Sequence, residues 1–252
     1  MVVKDFLDEL NERYNCAAFI EDDPISVPHR YTRRQDVEIS AFLASTIAWG
    51  QRKTIVRNAH RMVDWMDDAP FQFVRNATEA DLKALDGFVH RTFNDFDFRY
   101  FILSLQNIYK NYGGLSGVFE GGYAQSKDIR VVLSEFYKVF FELASQPRTR
   151  RHISSIDKGA ACKRLNMFLK WMVRRDGRGV DLGIWREIPP SALYLPLDVH
   201  SGNTGRELGL LKRKQSDWRA VEEITESLRK FDAEDPVKYD FALFCAGIYK
   251  EL

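Results

Sequence analysis

The apolar residues of this chain recur at helical spacing almost from end to end, and no segment alternates for long like a half-buried strand. That periodicity confines the chain to the all-α class, because each helix must bury one apolar stripe against another helix. The expected helices cover residues 2–14, 36–48, 53–66, 96–112, 129–145, 163–175, 203–210, 218–230 and 236–249, with short helical pieces at 71–75 and 78–85. Between them, residues 20–34 are broken by Pro24 and Pro28, Gly113-Gly114 stops one helix, and Pro147 ends another.

With 252 residues and 45% apolar composition, the chain can bury one good core, arranged as a single domain in two lobes. The lobes are expected at about residues 36–145 and at 1–35 plus 146–252. A net charge of +1 says nothing about partners, so any binding signal must be local. One is present: between Pro147 and Arg178 there are ten Lys and Arg against two acidic residues. Cys16, Cys162 and Cys245 are far apart and odd in number, which makes neither a disulfide framework nor a C-x-x-C metal site and points to a reducing cytoplasm. The start, Met1-Val-Val-Lys-Asp, has no signal-peptide pattern, and no apolar run reaches membrane-span length.

The densest chemistry lies in that basic region and its sequel. Ser154, Ser155 and Asp157 are candidate caps for the helix that follows. Within it Leu165, Phe168, Leu169 and Met172 share an apolar side. Lys163, Lys170 and Arg174, seven and four apart, share the other side, and the spacing predicts a solvent-facing cationic stripe. The helix start offers free amides near Gly159 for a phosphate. Thirty-five positions after Lys163, an apolar run delivers a lone carboxylate, Asp198, just before another helix.

These residues carry a resemblance. Leu195-Pro-Leu-Asp198-Val-His200, followed by Arg206-Glu-Leu-Gly209-Leu, resembles the "VDTHV…R…RLGL" segment of the helix-hairpin-helix DNA glycosylases, which include the endonuclease III-like enzymes and the archaeal oxoguanine glycosylases. Gly159-Ala-Ala-Cys-Lys163 resembles "G-V-G-R-K", whose lysine is the nucleophile of the bifunctional members. The segment from Ile39 to Gln51 is similar to the family helix ending "LLSAQT", and Pro236 to Gly247 resembles the closing helix. The full chain also resembles a bacterial family of undetermined function with the pattern "CKRLNxFLxWMVR…PLDxH". Two departures stand out. The hairpin is Ile156-Asp-Lys-Gly159-Ala-Ala instead of L-P-G-[VI]-G, and the four-cysteine iron–sulfur motif is absent, so the resemblance implies no cofactor.

The resemblance implies a helix-hairpin-helix glycosylase-like fold with a cleft between the lobes, acting as a monomer on damaged duplex DNA. Lys163 would be the Schiff-base nucleophile and Asp198 the partner that stabilises the sugar cation, with AP-lyase activity possible in such enzymes. Gln51, Gly159, Arg164, Lys170, Arg174 and His200 are the candidate nucleic-acid contacts. Simpler roles stand beside these: Asp198 as a helix cap, Lys163 as a phosphate or solvent lysine, His200 as structural, and Trp49, Trp171, Trp185 and Phe168 as core. The alternative function is a catalytically silent nucleic-acid-binding protein of the same fold. A metal hydrolase built on Asp198 and His200 lacks a third evident ligand, so no metal site is assigned.

Overall fold

The computed structural model describes residues 2–251. The described residues are mostly helical, as the periodicity predicts, and their only sheet is a two-stranded hairpin. The chain divides into two compact units, one spanning Asp22–Ser154, the other taking the chain up to Glu21 and from Ser155 onward.

The Asp22–Ser154 unit is built around a helix buried on every side from Val37 onward. In chain order the first helices are α1 (Val3–Tyr14) and α2 (Ala18–Glu21), which belong to the other unit; α3 (Arg34–Thr46) is the centre of this one. Every residue from Val37 to Thr46 is buried, and the polar ones are satisfied inside: Ser40 and Ser45 donate to carbonyls of their own helix, and Glu38 pairs with Arg34 and accepts from Tyr109. Around it stand α4 (Arg52–Asp64), α5 (Pro70–Asn76), α6 (Glu79–Lys83), α7 (Asp95–Asn111), α8 (Gly114–Ser126) and α9 (Ile129–Phe140). Phe42 meets Phe101, Phe136 and Phe140 with ring centroids 5.5–5.9 Å apart. Two of these helices start with reciprocal capping boxes, Thr78 with Asp81 and Asn94 with Asp97. The hairpin pairs β1 (Val89–His90) with β2 (Phe93–Asn94) ahead of α7.

The second unit combines α1 and α2 with α10 (Lys163–Val173), α11 (Val199–Glu207), α12 (Trp218–Arg229) and α13 (Asp240–Tyr249). Small residues let α11 approach its neighbours closely. A Cβ on Gly205 would stand 2.6 Å from Ile224 Cδ1 on α12, and one on Gly247 of α13 would stand 3.1 Å from the His200 carbonyl. Phe168, Trp171 and Trp185 are buried in this unit, and Phe168 meets Trp185 edge to face at 5.3 Å.

Element boundaries differ from the periodic expectation where local chemistry decides. The helix expected over 129–145 stops at Phe140, and the one expected from 203 begins at Val199 because Asp198 caps it. The closing helix starts at Asp240 after a 3₁₀ turn over Pro236–Tyr239. The helix α8 lies in a glycine-rich stretch for which no helix is expected. Ser154, Ser155 and Asp157 do not cap α10; its N-cap is Cys162, held at φ 50° with no side-chain capping bond.

Candidate active site

Lys163 and Lys170 of α10 and its C-cap residue Arg174 are spaced for one side of the helix, but at Lys170 and Arg174 that side faces inward. At 100° per residue, positions 163, 170 and 174 fall within about 40° of one another, spread along roughly 16 Å of axis. The Lys170 and Arg174 side chains are each only 2% exposed. This corrects the expectation of a solvent-facing stripe: neither side chain is free to hold a DNA phosphate. The apolar and cationic sides are both covered, because the segment after α10 and the start of α13 bring carboxylates over the cations.

The pairings form a ladder. Lys170 Nζ lies 3.2 Å from Asp181 Oδ1 and 3.5 Å from Asp240 Oδ2. It also sits 3.6 Å above the Phe241 ring. Arg174 reaches Asp181 Oδ2 at 2.8 Å through Nη1, Asp176 Oδ2 at 2.9 Å through Nη2, and Asp235 Oδ2 at 2.8 Å through Nε. Asp181 is wholly buried and bridges the two cations. Such charges are tolerated inside only because each is paired and hydrogen-bonded. Counted by side chain, two cations meet four carboxylates, so the ladder holds a surplus of negative charge.

That surplus appears in the titration of its members. Burial, together with Asp198 and Asp181, pushes the Asp240 carboxyl up to about 6 against the opposing pull of Lys170 and Lys163. Burial likewise raises Asp235, with Arg174 opposing. For Arg174 burial works against the charged form, but Asp181, Asp235 and Asp176 outweigh it and raise its pKa.

The pair singled out in the sequence stands outside these ion pairs. Lys163, the first residue of α10, is half-buried and has no ion-pair partner within 4.0 Å among the described residues. Asp198, also half-buried, is the N-cap of α11. Its Oδ1 accepts from the Ser201 amide at 3.0 Å and from Ser201 Oγ at 3.2 Å, while its own amide donates to Ser201 Oγ at 2.9 Å. The cap uses Oδ1 and leaves Oδ2 outside it. Both charges act electrostatically on the Asp240 carboxyl, Asp198 raising its pKa and Lys163 lowering it.

The other sequence candidates are placed less tightly. Arg164 is half-buried, and burial pulls its guanidinium down to about 10. Gly159 is exposed with φ 73°, and its carbonyl accepts from the Trp218 amide at 2.9 Å, tying this turn to the start of α12. His200 is exposed on α11, edge-on to Phe244 at 5.9 Å. No three His, Cys, Asp or Glu side chains among the described residues are arranged to hold a metal ion. Gln51 belongs to the Asp22–Ser154 unit, exposed at the N-cap of α4. Beside it, the half-buried Trp49 stacks on His152 at 6.0 Å and meets the edge of His90 at 4.9 Å.

Sequence reasoning missed Asp181 and Asp240. One follows the glycine-rich turn after α10, and the other opens a helix that reads as ordinary core. The only available signal was the excess of cations on α10, which required buried anions from elsewhere if that face was covered.

The fold and site thus define an all-α protein whose one unit carries a buried ion-pair ladder together with a half-buried lysine and aspartate that both act on the ladder's Asp240. The chain matches the family described as "Protein of unknown function (DUF2400)" over residues 23–249 and belongs to that family. Comparisons with curated proteins and with solved structures gave no match. Among the described residues no helix is long and apolar enough to cross a membrane.

Proposed function

We propose that the protein is a DNA-repair glycosylase of the helix-hairpin-helix type, excising a damaged base through Lys163 and Asp198, with associated AP-lyase chemistry. The observation that supports this reading is that Lys163 at the start of α10 and Asp198 at the cap of α11, 35 positions apart, are both half-buried and both act on the Asp240 carboxyl. Breaking the bond from a base to C1′ of deoxyribose develops positive charge on the sugar. The Asp198 carboxylate, with Oδ2 outside the cap, is the anion that meets this charge. Lys163 Nζ supplies the electron pair that forms the new bond to C1′ as the base leaves, and loss of a proton from nitrogen with ring opening gives the imine. The target base must first leave the stack, which is least costly for a damaged or mismatched pair.

The complete capping box of Asp198 favours one alternative, since it gives that residue a structural reason to be present. In it the protein binds nucleic acid and does no chemistry. Asp198→Asn separates the two, because it keeps the side-chain shape and part of the cap but removes the charge. Incubation with a panel of oligonucleotides bearing oxidised, alkylated and deaminated bases should show excision of at least one lesion. Asp198→Asn should slow it by roughly 10²-fold or more. Binding without excision of any lesion by the wild-type protein would favour the silent alternative.

A further inference from the structure

With Lys170 and Arg174 internal, the cations left to meet a polyanion lie elsewhere in the same unit. A cluster of them follows α11. The chain leaves that helix through Gly209, in the left-handed region at φ 73°, and runs Leu210-Leu-Lys-Arg-Lys-Gln-Ser-Asp217 to the cap of α12. Arg206, in the last turn of α11, gives this loop its shape. Its Nε donates to the Arg213 carbonyl and its Nη2 to the Lys214 carbonyl, both at 2.9 Å. No carboxylate lies within 4.0 Å of Arg206 among the described residues, so the guanidinium is spent on backbone. The Lys212 amide donates to Glu223 Oε1 of α12 at 2.5 Å, and Arg213 turns back to Asp217, Nε to Oδ1 at 2.7 Å. Asp217, the only acid between Leu208 and Trp218, also caps α12 through the Ala220 amide. Lys212 and Lys214, on either side of Arg213, are exposed and have no carboxylate within 4.0 Å among the described residues. Arg219, exposed on the first turn of α12, is likewise unpaired with any carboxylate.

We propose that the Lys212–Lys214 loop is a contact surface for the phosphate backbone of nucleic acid, with Arg206 as the positioning residue that holds it in shape. The assignment rests on the reading of the protein as one that acts on nucleic acid, and not on Lys163 or Asp198. A mobile loop loses conformational entropy when it binds. Here Arg206 and Glu223 fix the backbone beforehand, so the two ammonium groups are presented at little ordering cost. Asp217 and Glu223 are occupied in holding the loop, which leaves its outward side chains cationic. None of the exposed large apolar side chains lies between Arg206 and Arg219. A protein partner or a membrane surface is met through such side chains, whereas a phosphate backbone is met by charge. Backbone contacts of this kind fix position and carry no sequence information.

The test is binding of the full chain to a fluorescein-labelled, undamaged DNA duplex, followed by anisotropy at several salt concentrations. Lys212→Gln with Lys214→Gln should weaken binding roughly tenfold or more at about 0.1 M salt and lower the slope of log K against log salt by about two. Lys83→Gln with Lys110→Gln removes the same charge from exposed positions of the other unit and should leave affinity and slope unchanged. Arg206→Lys keeps the charge but loses the fork that spans both carbonyls, so it should lower affinity severalfold and leave the slope as it is. Wild-type binding by the Lys212 and Lys214 double variant would overturn the proposal and leave the glycosylase reading standing, since excision can then use another surface. A wild-type protein that binds no duplex at all would overturn both. Wild-type affinity in Arg206→Lys would remove Arg206 from the account. Binding to phosphatidylserine vesicles as tight as to the duplex would also overturn the proposal, because the partner would then be an anionic membrane.

Discussion

At the scale of single residues, Lys170 and Arg174 show what a helical period can and cannot convey. Their spacing places them on one side of α10, and the structure keeps them there. Which way that side faces depends on Asp181, Asp235 and Asp240, contributed by segments whose own patterns give no hint of it. A charged helix face is ordinarily solvated, and only the buried anions reverse that expectation. The same anions have a consequence for stability. Asp240 has a folded-state pKa of about 6 against 3.8 for a free aspartate, so the native state binds its proton more tightly than the unfolded state. Its contribution favours folding below about pH 4 and is lost as the pH rises through about 6. The loss is at most about 3 kcal/mol. Carboxylates with lowered values, Asp97 and Asp217 among them, act in the opposite sense. The effect is therefore read from a difference. Denaturation midpoints of wild type and Asp240→Asn across pH 4 to 7 should show the variant gaining on the wild type as the pH rises. Parallel curves would mean that Asp240 titrates alike in both states.

At the scale of elements, the long amphipathic helices were legible and α8 was not. Four glycines within Gly114–Ser126 lower helix propensity enough to hide a helix in the sequence. Packing restores it: Leu115, Val118, Phe119 and Tyr123 recur at helical spacing and are all buried, and Phe119 meets Phe136 of α9 at 4.6 Å. The glycines are not equivalent. A Cβ on Gly117 would stand 2.0 Å from the Tyr112 carbonyl oxygen, a backbone atom that cannot swing aside, whereas one on Gly121 would meet nothing within 4 Å. Gly117→Ala should destabilise the protein by about 2 kcal/mol or more, as a strained close approach does. Gly121→Ala should stabilise it by about 0.5–1 kcal/mol by removing a helix-interior glycine. Urea denaturation of the two variants checks the contrast, and equal effects would mean that α8 does not approach Tyr112 so closely. The α11 boundary carries a related lesson. The sequence marks Asp198 as a possible cap, and the capping box with Ser201 starts the helix four residues before the apolar pattern does.

At the scale of the whole molecule, the all-α class followed from periodicity because most of the chain's apolar residues repeat at one spacing. The basic excess between Pro147 and Arg178 was a weaker guide, since charge counted along a chain does not say which side chains reach solvent. Lys170 and Arg174 are internal, Arg148 pairs with Asp97 at 3.2 Å, and Arg178 pairs with Glu12. Substituting Lys170 and Arg174 together therefore tests folding, not phosphate contacts. The functional account stands on Lys163 as a nucleophile, and the measurement that reaches it most directly is borohydride trapping on a damaged duplex, with the attachment site located by mass spectrometry. The account predicts a covalent protein–DNA adduct through Lys163 Nζ, abolished in Lys163→Gln while DNA binding falls only modestly with the loss of one cation. Excision that proceeds without an adduct, or an adduct that persists in Lys163→Gln, would contradict it.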